Sequence, residues 1–536
     1  MRSASSSLRR LYSVPIAVII VAVAIFSTGC GSSSMSKTPP LTGNTAVTVI
    51  VSSTANDQLA EFDLGFQSIT LTSQSGKTAT LMSLPTSGPP LNAEFMHLNG
   101  TAQPLLTATI PQDIYTSATI TLGGGAFVCL AFGQVDGEQT LSSATYTLFP
   151  PTATVNFPSP LTVTGTSMAL ALNLQVSQSA TIGDCVNVAG FYGFSITPTF
   201  ALTPLTLATS PTNSANGKVM GVDGEVTAVS SGGNSFTLSI PNYVPALTGL
   251  PVPVQSDANT IYQGISGASA LAVGSFVNMD GAIRADGSLL ATRIAVEDPS
   301  AVYVFRGPLM QVASSVSAVF MHAREMQGAG IPGYPFGVGA QFNYGSTAFQ
   351  TSGQLSNLGS LPFVPSFNGS NMVPGQEVYI STTALPNNGP YPSAATMTLM
   401  PQTIDGMVAG SSTSGGFTDY TVTLASYDLF PALAVQPGQT TVENNPSEVE
   451  VYVDSNTQLL NTQTLAAGGT FRFYGLVFND NGTLRMDCAQ VNDGVALTAQ
   501  PSASQQSHME KGAVQETRGE GVGTLQRIIS VSTRQP

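Results

Sequence analysis

Tryptophan is absent from this 536-residue chain, histidine occurs three times and cysteine four times. Charge is scarce as well: Asp, Glu, Lys and Arg make up 9% of the residues, against about 25% in an ordinary soluble domain. Each shortage excludes something. A histidine-based zinc site needs two or more imidazoles together, and His97, His322 and His508 fall in three separate parts of the chain. No Gly-x-Ser-x-Gly elbow joins a strand to a helix, so a hydrolase triad has no frame. Gly123 to Gly125 are followed by neither a lysine nor a helix, and read as a turn or bulge rather than a phosphate cradle. Residues 31–498 hold 9 Lys+Arg against 27 Asp+Glu, a balance of −18. Phosphate backbones are bound by clusters of Lys and Arg, so nucleic acid is not an expected partner. No catalytic, metal-binding or cofactor-binding constellation emerges, and the expectation is a protein that is not an enzyme.

What is present points to β-structure. Hydrophobic residues make up 42% of the chain, with 53 Gly and 35 Pro. The apolar residues come in short alternating runs, the period of half-buried strands, and long helical periodicity is nearly absent beyond the N-terminus. The length suits about three to five domains. The expected fold class is all-β, an N-terminal β-sandwich followed by about three small β-barrel repeats.

The first 30 residues carry an address. Arg2, Arg9 and Arg10 precede an apolar run over 15–26, which is too short for an ordinary membrane span. Ser27, Thr28 and Gly29 then lead to Cys30. This arrangement resembles the lipobox of bacterial lipoproteins. The resemblance implies cleavage before Cys30, lipidation of its new N-terminus and, with Gly31 following, sorting to the outer membrane. An ordinary secretory signal cut nearby and a retained anchor are the alternatives. Residues 31–44 read as a flexible tether. Export implies an oxidising compartment. Cys129 and Cys185 fall in one expected β-domain and are the expected disulfide, although sequence alone leaves the pairing open. Cys488 reads as a buried core thiol.

Residues 216–298 are the clearest unit. Five or six short strands are separated by turn clusters, among them Asp286-Gly287. The marks are Gly224 and Val226, Phe236 and Leu238, Asp257 and Thr260, Val273, Gly274 and Val277, then Asp286, Gly287, Leu289, Ala291 and Ile294. With them the stretch resembles an uncharacterised repeat of bacterial envelope proteins, the domain-of-unknown-function family numbered five-six-six-six. That resemblance implies a barrel of the oligonucleotide/oligosaccharide-binding (OB-like) type and brings no chemistry with it. Weaker copies span 302–401, with Gly307 and Thr347 in the marker positions, and 402–498, with Gly406 and Thr457. Insertions lengthen towards the C-terminus, and such loops are where a repeat protein commonly varies.

Residues 45–205 read as a two-sheet sandwich. Val47, Val49 and Val51, then Phe66, Ser68, Ile69 and Leu71, then Ile110, Pro111, Tyr115, Ile120 and Leu122, resemble a second uncharacterised lipoprotein family, numbered four-three-eight-two. Residues 204–215 read as a linker rich in Ser, Thr, Pro and Asn. Residues 499–536 lose the alternation and read as a disordered tail.

Several residues merit weighing as sites. Asp136 with Glu138, and Glu448 with Glu450, are carboxylate pairs of the kind glycosidases use. Glu448 and Glu450 sit two apart on an expected strand, which puts both on one face, and a solvated outer face is the plainer account. Asp280 with Asp286, and Asp480 with Asn481 and Asp487, offer oxygen ligands for Ca²⁺ without EF-hand spacing; turn formation accounts for them. Tyr379, Tyr391, Tyr420, Tyr427 and Tyr452 are candidate platforms for sugars in a chain without Trp, or ordinary strand residues. The functional expectation is an envelope lipoprotein held to the membrane by its lipid and acting as a binding or scaffold module. Its candidate partners are a polysaccharide or an envelope protein. Oligosaccharide binding on a barrel face is the alternative, with a secreted hydrolase last. Ligand-binding residues are not identified.

Overall fold

The computed structural model describes the chain from 41 to 493, outside internal stretches of which the longest are 180–196, 206–217, 241–251 and 434–444. Cys30, the leader, Cys185, His97, Asp136, Asp286, Tyr427, His508 and the tail therefore lie outside the described residues. The described residues from 43 onward belong to one compact unit.

The fold is all-β. The sandwich pairs two sheets. One runs Phe200–Leu205, Ser167–Leu174, Asn44–Ser53, Gln103–Pro111; the other runs Thr152–Val163, Asp113–Cys129, Leu59–Ser73, Thr78–Ser83. Asn44–Ser53 alternates Val47, Val49 and Val51 into the core, and lies parallel to Ser167–Leu174. The glycines Gly123 to Gly125 lie within one long strand, Asp113–Cys129. Its register slips opposite Gly65 and Phe66, so that Gly65 pairs with Gly124 and Phe66 with Leu122. Gly123 is the extra residue, and the glycine run is a bulge inside a long strand.

Three barrels follow with one topology. In barrel one the order is Val252–Gln255, Ser235–Ser239, Lys218–Val229, Phe276–Ile283, Leu289–Val296, and the first and last of these pair to close the ring. Barrel three repeats the order with Glu448–Val453, Phe417–Leu424, Gln402–Ser414, Thr470–Asp480 and Thr483–Asp493, closed in the same way. Barrel two runs Val338–Asn343, Ala318–Ala323, Tyr303–Ala313, Glu377–Thr382 and Thr396–Leu399, with a single bridge from Asn343 to Ser393 across the closing gap.

Two sequence marks explain why the repeats share this frame. Gly224, Gly307 and Gly406 occupy one position on the long first strand. A Cβ there would stand 2.4 Å from Leu238 Cδ1, 1.8 Å from the His322 carbonyl oxygen or 2.4 Å from Val422 Cγ1, so each glycine lets a neighbouring strand fold tightly over the first. Thr260, Thr347 and Thr457 donate their hydroxyls to the carbonyls of Ala291, Ala394 and Cys488 at 2.7, 2.8 and 2.8 Å. Each pins the loop after the closing strand to the final strand or, in barrel two, to the residues just before it.

The cores run across module boundaries. Ile50 and Ala169 of the sandwich share a cluster with Val219, Val222 and Leu238 of barrel one. Phe417, Tyr452, Leu476 and Phe478 of barrel three join the core of barrel two. The insertion 358–376 of barrel two is a strap rather than an open loop: Phe363 packs on Tyr452 and Phe478, with ring centroids at 5.2 and 5.8 Å.

Candidate functional site at the barrel junction

Side chains alternate along a strand. The residue before each marker glycine therefore points out of its barrel, and these residues are Asp223, Arg306 and Asp405. Their cross-strand partners are Asn278, Tyr379 and Arg472. Asp280 and Tyr474 lie two residues beyond Asn278 and Arg472, on the same outward face. This face of all three barrels converges on one buried polar junction.

Arg306 of barrel two reaches into barrel one, donating from Nη1 to Asp223 and to the Gly221 carbonyl, the latter at 3.2 Å. Its Nε stands 3.4 Å from Glu377 Oε1, and Glu377 also takes Arg324 Nη2. In barrel one, Asn278 Nδ2 donates to Asp223 at 2.7 Å, and Arg293 donates to Asn278 and to Asp280, the latter at 2.7 Å. Gln354 of barrel two donates to Asp280 at 2.9 Å, and Tyr474 of barrel three donates to Gln354 at 3.4 Å. Gln350 donates to the Glu297 carbonyl at 3.2 Å, Thr398 to the Glu297 carboxylate at 3.0 Å, and Ser381 to Asp298 at 3.1 Å.

Water is kept out: Asp223, Arg306, Glu377 and Asn278 are all buried. Burial raises the Asp223 carboxyl above its usual range, while Arg306 and Asn278 pull it back. Burial acts against the Arg306 charge, yet Asp223, Glu325 and Glu377 hold its pKa well above the usual arginine value. Burial likewise raises Glu297, Tyr379 and Tyr474. Arg324 feels Glu377 and, from the sandwich, Glu94. Chemically the arrangement is a buried network of ion pairs and hydrogen bonds. Its physical effect is to fix the barrels against one another, because separating them would strand a buried charge.

The other weighed residues settle as follows. Asp280 is not a turn residue: it sits in the middle of a strand and pairs with Arg293 across the sheet. Asp487 is a fully buried strand residue. Asp480 and Asn481 do make a hairpin turn, with Asn481 at φ 51° and the Gly482 amide donating to Asn479 at 2.9 Å. Glu448 and Glu450 share one half-buried face. Glu450 accepts from the Tyr452 hydroxyl at 2.9 Å and lies 3.3 Å from Arg485 Nε, which also stands 3.2 Å from Asp480. Arg485 covers the Phe363 ring at 5.4 Å. Tyr379 and Tyr452 are buried, Tyr420 is half-buried and Tyr391 is exposed. His322 is buried. Cys129 ends its strand, and its pairing with Cys185 lies outside the described residues. Cys488 is a buried thiol donating to the Gln490 carbonyl at 3.3 Å; burial raises its pKa, so it carries little thiolate.

Among the described residues, no group of three His, Cys, Asp or Glu is placed to hold a metal, and no helix is long and apolar enough to cross a membrane. Sequence reading weighed Asp280 and Tyr379 in other roles and passed over the remaining junction residues. The available signal was the repeat alignment itself, which puts Asp223, Arg306 and Asp405 in one register beside a marker glycine.

The comparisons with known proteins agree with the frame and add no chemistry. No curated protein matches the chain. One solved structure that matches is a CusF variant with Cu(II) from Escherichia coli, at 14% identity, covering 15% of this chain and 91% of that one, with a TM-score of 0.12. A likeness of that size bears on neither fold nor function. Residues 223–295, nearly the whole of barrel one, match the model of a domain of unknown function (DUF5666), the family whose marks that stretch carries.

Proposed function

We propose that the chain is an envelope lipoprotein, anchored through a lipid on Cys30, that acts as a non-enzymatic binding or scaffold module. The observation that carries this reading is the use made of scarce charge. Among the described residues every arginine (Arg293, Arg306, Arg324, Arg472 and Arg485) is engaged with a carboxylate inside or between barrels. A catalytic protein keeps titratable groups facing a cleft; here they pair with one another, within a barrel or, through Arg306 and Asp223, between two. The anchor rests on the basic start, the short apolar run and the small residues before Cys30, together with the likeness of 45–205 to the lipoprotein family numbered four-three-eight-two. In this reading the sandwich stands nearest the membrane and the barrels extend the surface available to a partner.

Two measurements test it. Cys30→Ala moves the protein from the membrane fraction to the soluble fraction; continued membrane partitioning after signal cleavage defeats the anchor. A screen of hydrolase substrates, with Glu448→Gln and Glu450→Gln as controls, returns no turnover; activity lost in either variant overturns the non-enzymatic reading. Oligosaccharide binding is the second reading. It is favoured by the half-buried Glu450, Asp480 and Arg485 on the outside of barrel three, polar groups that water still reaches. A glycan array decides it: absence of binding to any polysaccharide removes it, and binding weakened by Arg485→Ala supports it.

A further inference from the structure

In the sandwich sheet of Thr152–Val163, Asp113–Cys129, Leu59–Ser73 and Thr78–Ser83, one face is core and the other is open. Ile69, Leu71, Ala118, Ile120 and Val155 point inward and are buried. The residues between them point outward, and strand pairing sets them in rows. Thr154, Thr119, Thr70 and Thr80 lie side by side across the strands. Thr152, Thr121, Ser68 and Ser83 form the row on one side of them. Asn156, Ser117, Thr72 and Thr78 form the row on the other.

Every position in this block is a hydroxyl except Asn156, and none is charged or aromatic. The rows are exposed on the outer two strands and half-buried on the inner two, as on a sheet open to solvent. Among the described residues none of these side chains has a hydrogen-bond partner. On the other sheet of the sandwich, by contrast, Thr45 donates to the Gly165 carbonyl at 2.6 Å and Thr48 bonds to Thr107 at 3.1 Å. Threonine favours strands, so one alternating pair is ordinary. Four strands in register with no charge between them make a patterned surface.

The pattern selects its ligand. Strands lie about 4.8 Å apart, and alternate residues along one strand about 6.7 Å apart, so the hydroxyls form a two-dimensional grid. Each hydroxyl can donate and accept. A dissolved molecule gains little here, because each bond replaces one to water and is worth about 1 kcal/mol net. The face has no charge to hold an ion and no ring on which a sugar could stack. A solid with a similar repeat meets many hydroxyls at once, and the small gains add. Ice has such a repeat. In a tetrahedral network with hydrogen bonds of about 2.8 Å, oxygens sharing a neighbour lie about 4.5 Å apart, close to the strand spacing. The threonine methyls between the hydroxyls offer water no competing partner. Sheet twist of about 20–25° per strand places the closest match on the two inner strands, where Thr119 and Thr70 stand opposite each other.

We propose that this hydroxyl face of the sandwich is an ice-binding surface, whose ligand is the water lattice of a crystal face.

The test is the protein content of ice grown slowly from a dilute solution of the full chain, compared with the liquid left behind. Growing ice excludes ordinary solutes, whereas this protein should be enriched in it several-fold over an excluded control protein. Thr70→Lys with Thr119→Lys, at the centre of the grid, should reduce uptake to the excluded level, with circular dichroism and the melting temperature reporting that the sheet is intact. If that pair unfolds the sandwich, Thr80→Lys with Thr154→Lys, on the exposed outer strands, replaces it with the same expected loss. Thr292→Lys, at an exposed threonine of barrel one, should leave uptake unchanged. Exclusion of the parent chain from ice overturns the proposal, and so does full uptake by a folded variant of the grid. Retention on powdered cellulose without uptake into ice also overturns it, and assigns the face to a polysaccharide.

Discussion

Barrels one and three are the same frame put to different use. Each has an aspartate before the marker glycine on its first strand, Asp223 and Asp405. Asp223 is answered by Arg306, 83 residues away in the next barrel. Asp405 is answered by Arg472, directly across the sheet in its own barrel. The first arrangement makes folding of one module conditional on its neighbour. The second satisfies the charge within its own barrel, and coupling to barrel two runs through the shared core around Tyr452 and Phe478 and through the helix Leu429–Leu433. One register position can therefore serve inter-module cohesion or internal stability, according to which strand supplies the arginine.

That contrast is open to experiment. The largest effect is expected from Arg306→Met, which strands Asp223 and removes one partner from Glu377. Breaking a buried pair from one side costs about 3–5 kcal/mol, and calorimetry should show barrel one losing cooperativity with the remainder. Arg472→Met should cost a similar amount while leaving barrels one and two unfolding together; a single, uniformly lowered transition for both variants erases the difference between the barrels. Next in size is the pH dependence. Burial raises Asp428, the residue before that helix, to about 7, and stability is lost as pH rises through that value, so Asp428→Asn should stabilise the protein at pH 8.5 by on the order of a few kcal/mol and leave it unchanged at pH 4. Urea unfolding at the two pH values measures it, and a parent protein most stable at pH 8.5 contradicts the sign. Thr260→Val, Thr347→Val and Thr457→Val each remove one hydroxyl bond, for about 1–2 kcal/mol apiece. Near-equal losses would confirm that the three threonines do the same task. The smallest change is expected at Arg485→Gln, where half-exposed pairs with Glu450 and Asp480 are worth under about 1 kcal/mol.

The barrels were legible because their determinants are local and repeated. Phe236 and Leu238 alternate into the core, and a glycine recurs at each tight approach. A threonine recurs after the Asx turns at Asp257 and Asp454, and Thr347 takes the same place in barrel two. The sandwich was legible from Val47, Val49 and Val51 for the same reason, and of the turn or bulge read at Gly123 to Gly125 the structure has the bulge. The junction was harder to see. Asp280 stands beside a glycine and looks like a turn former; only the register opposite Arg293 makes it part of an ion pair. Arg306 is marked locally only by its place before Gly307, and its partner is 83 residues upstream. The insertion around Phe363 was legible only as one of the lengthening loops, and its anchoring on Tyr452 depends on a contact that periodicity does not encode.

The bond between Asp223 and Arg306 also sets an order of events. A chain delivered N-terminus first presents barrel one before the arginine that completes it exists in folded surroundings. Until barrel two arrives, Asp223 must keep its shell of water and the outer face of barrel one must stay open. Barrel one alone is thus an interim state, finished by what is synthesised after it, and a chain truncated between the two barrels would end with an acidic, unsealed surface where the full chain has a closed one.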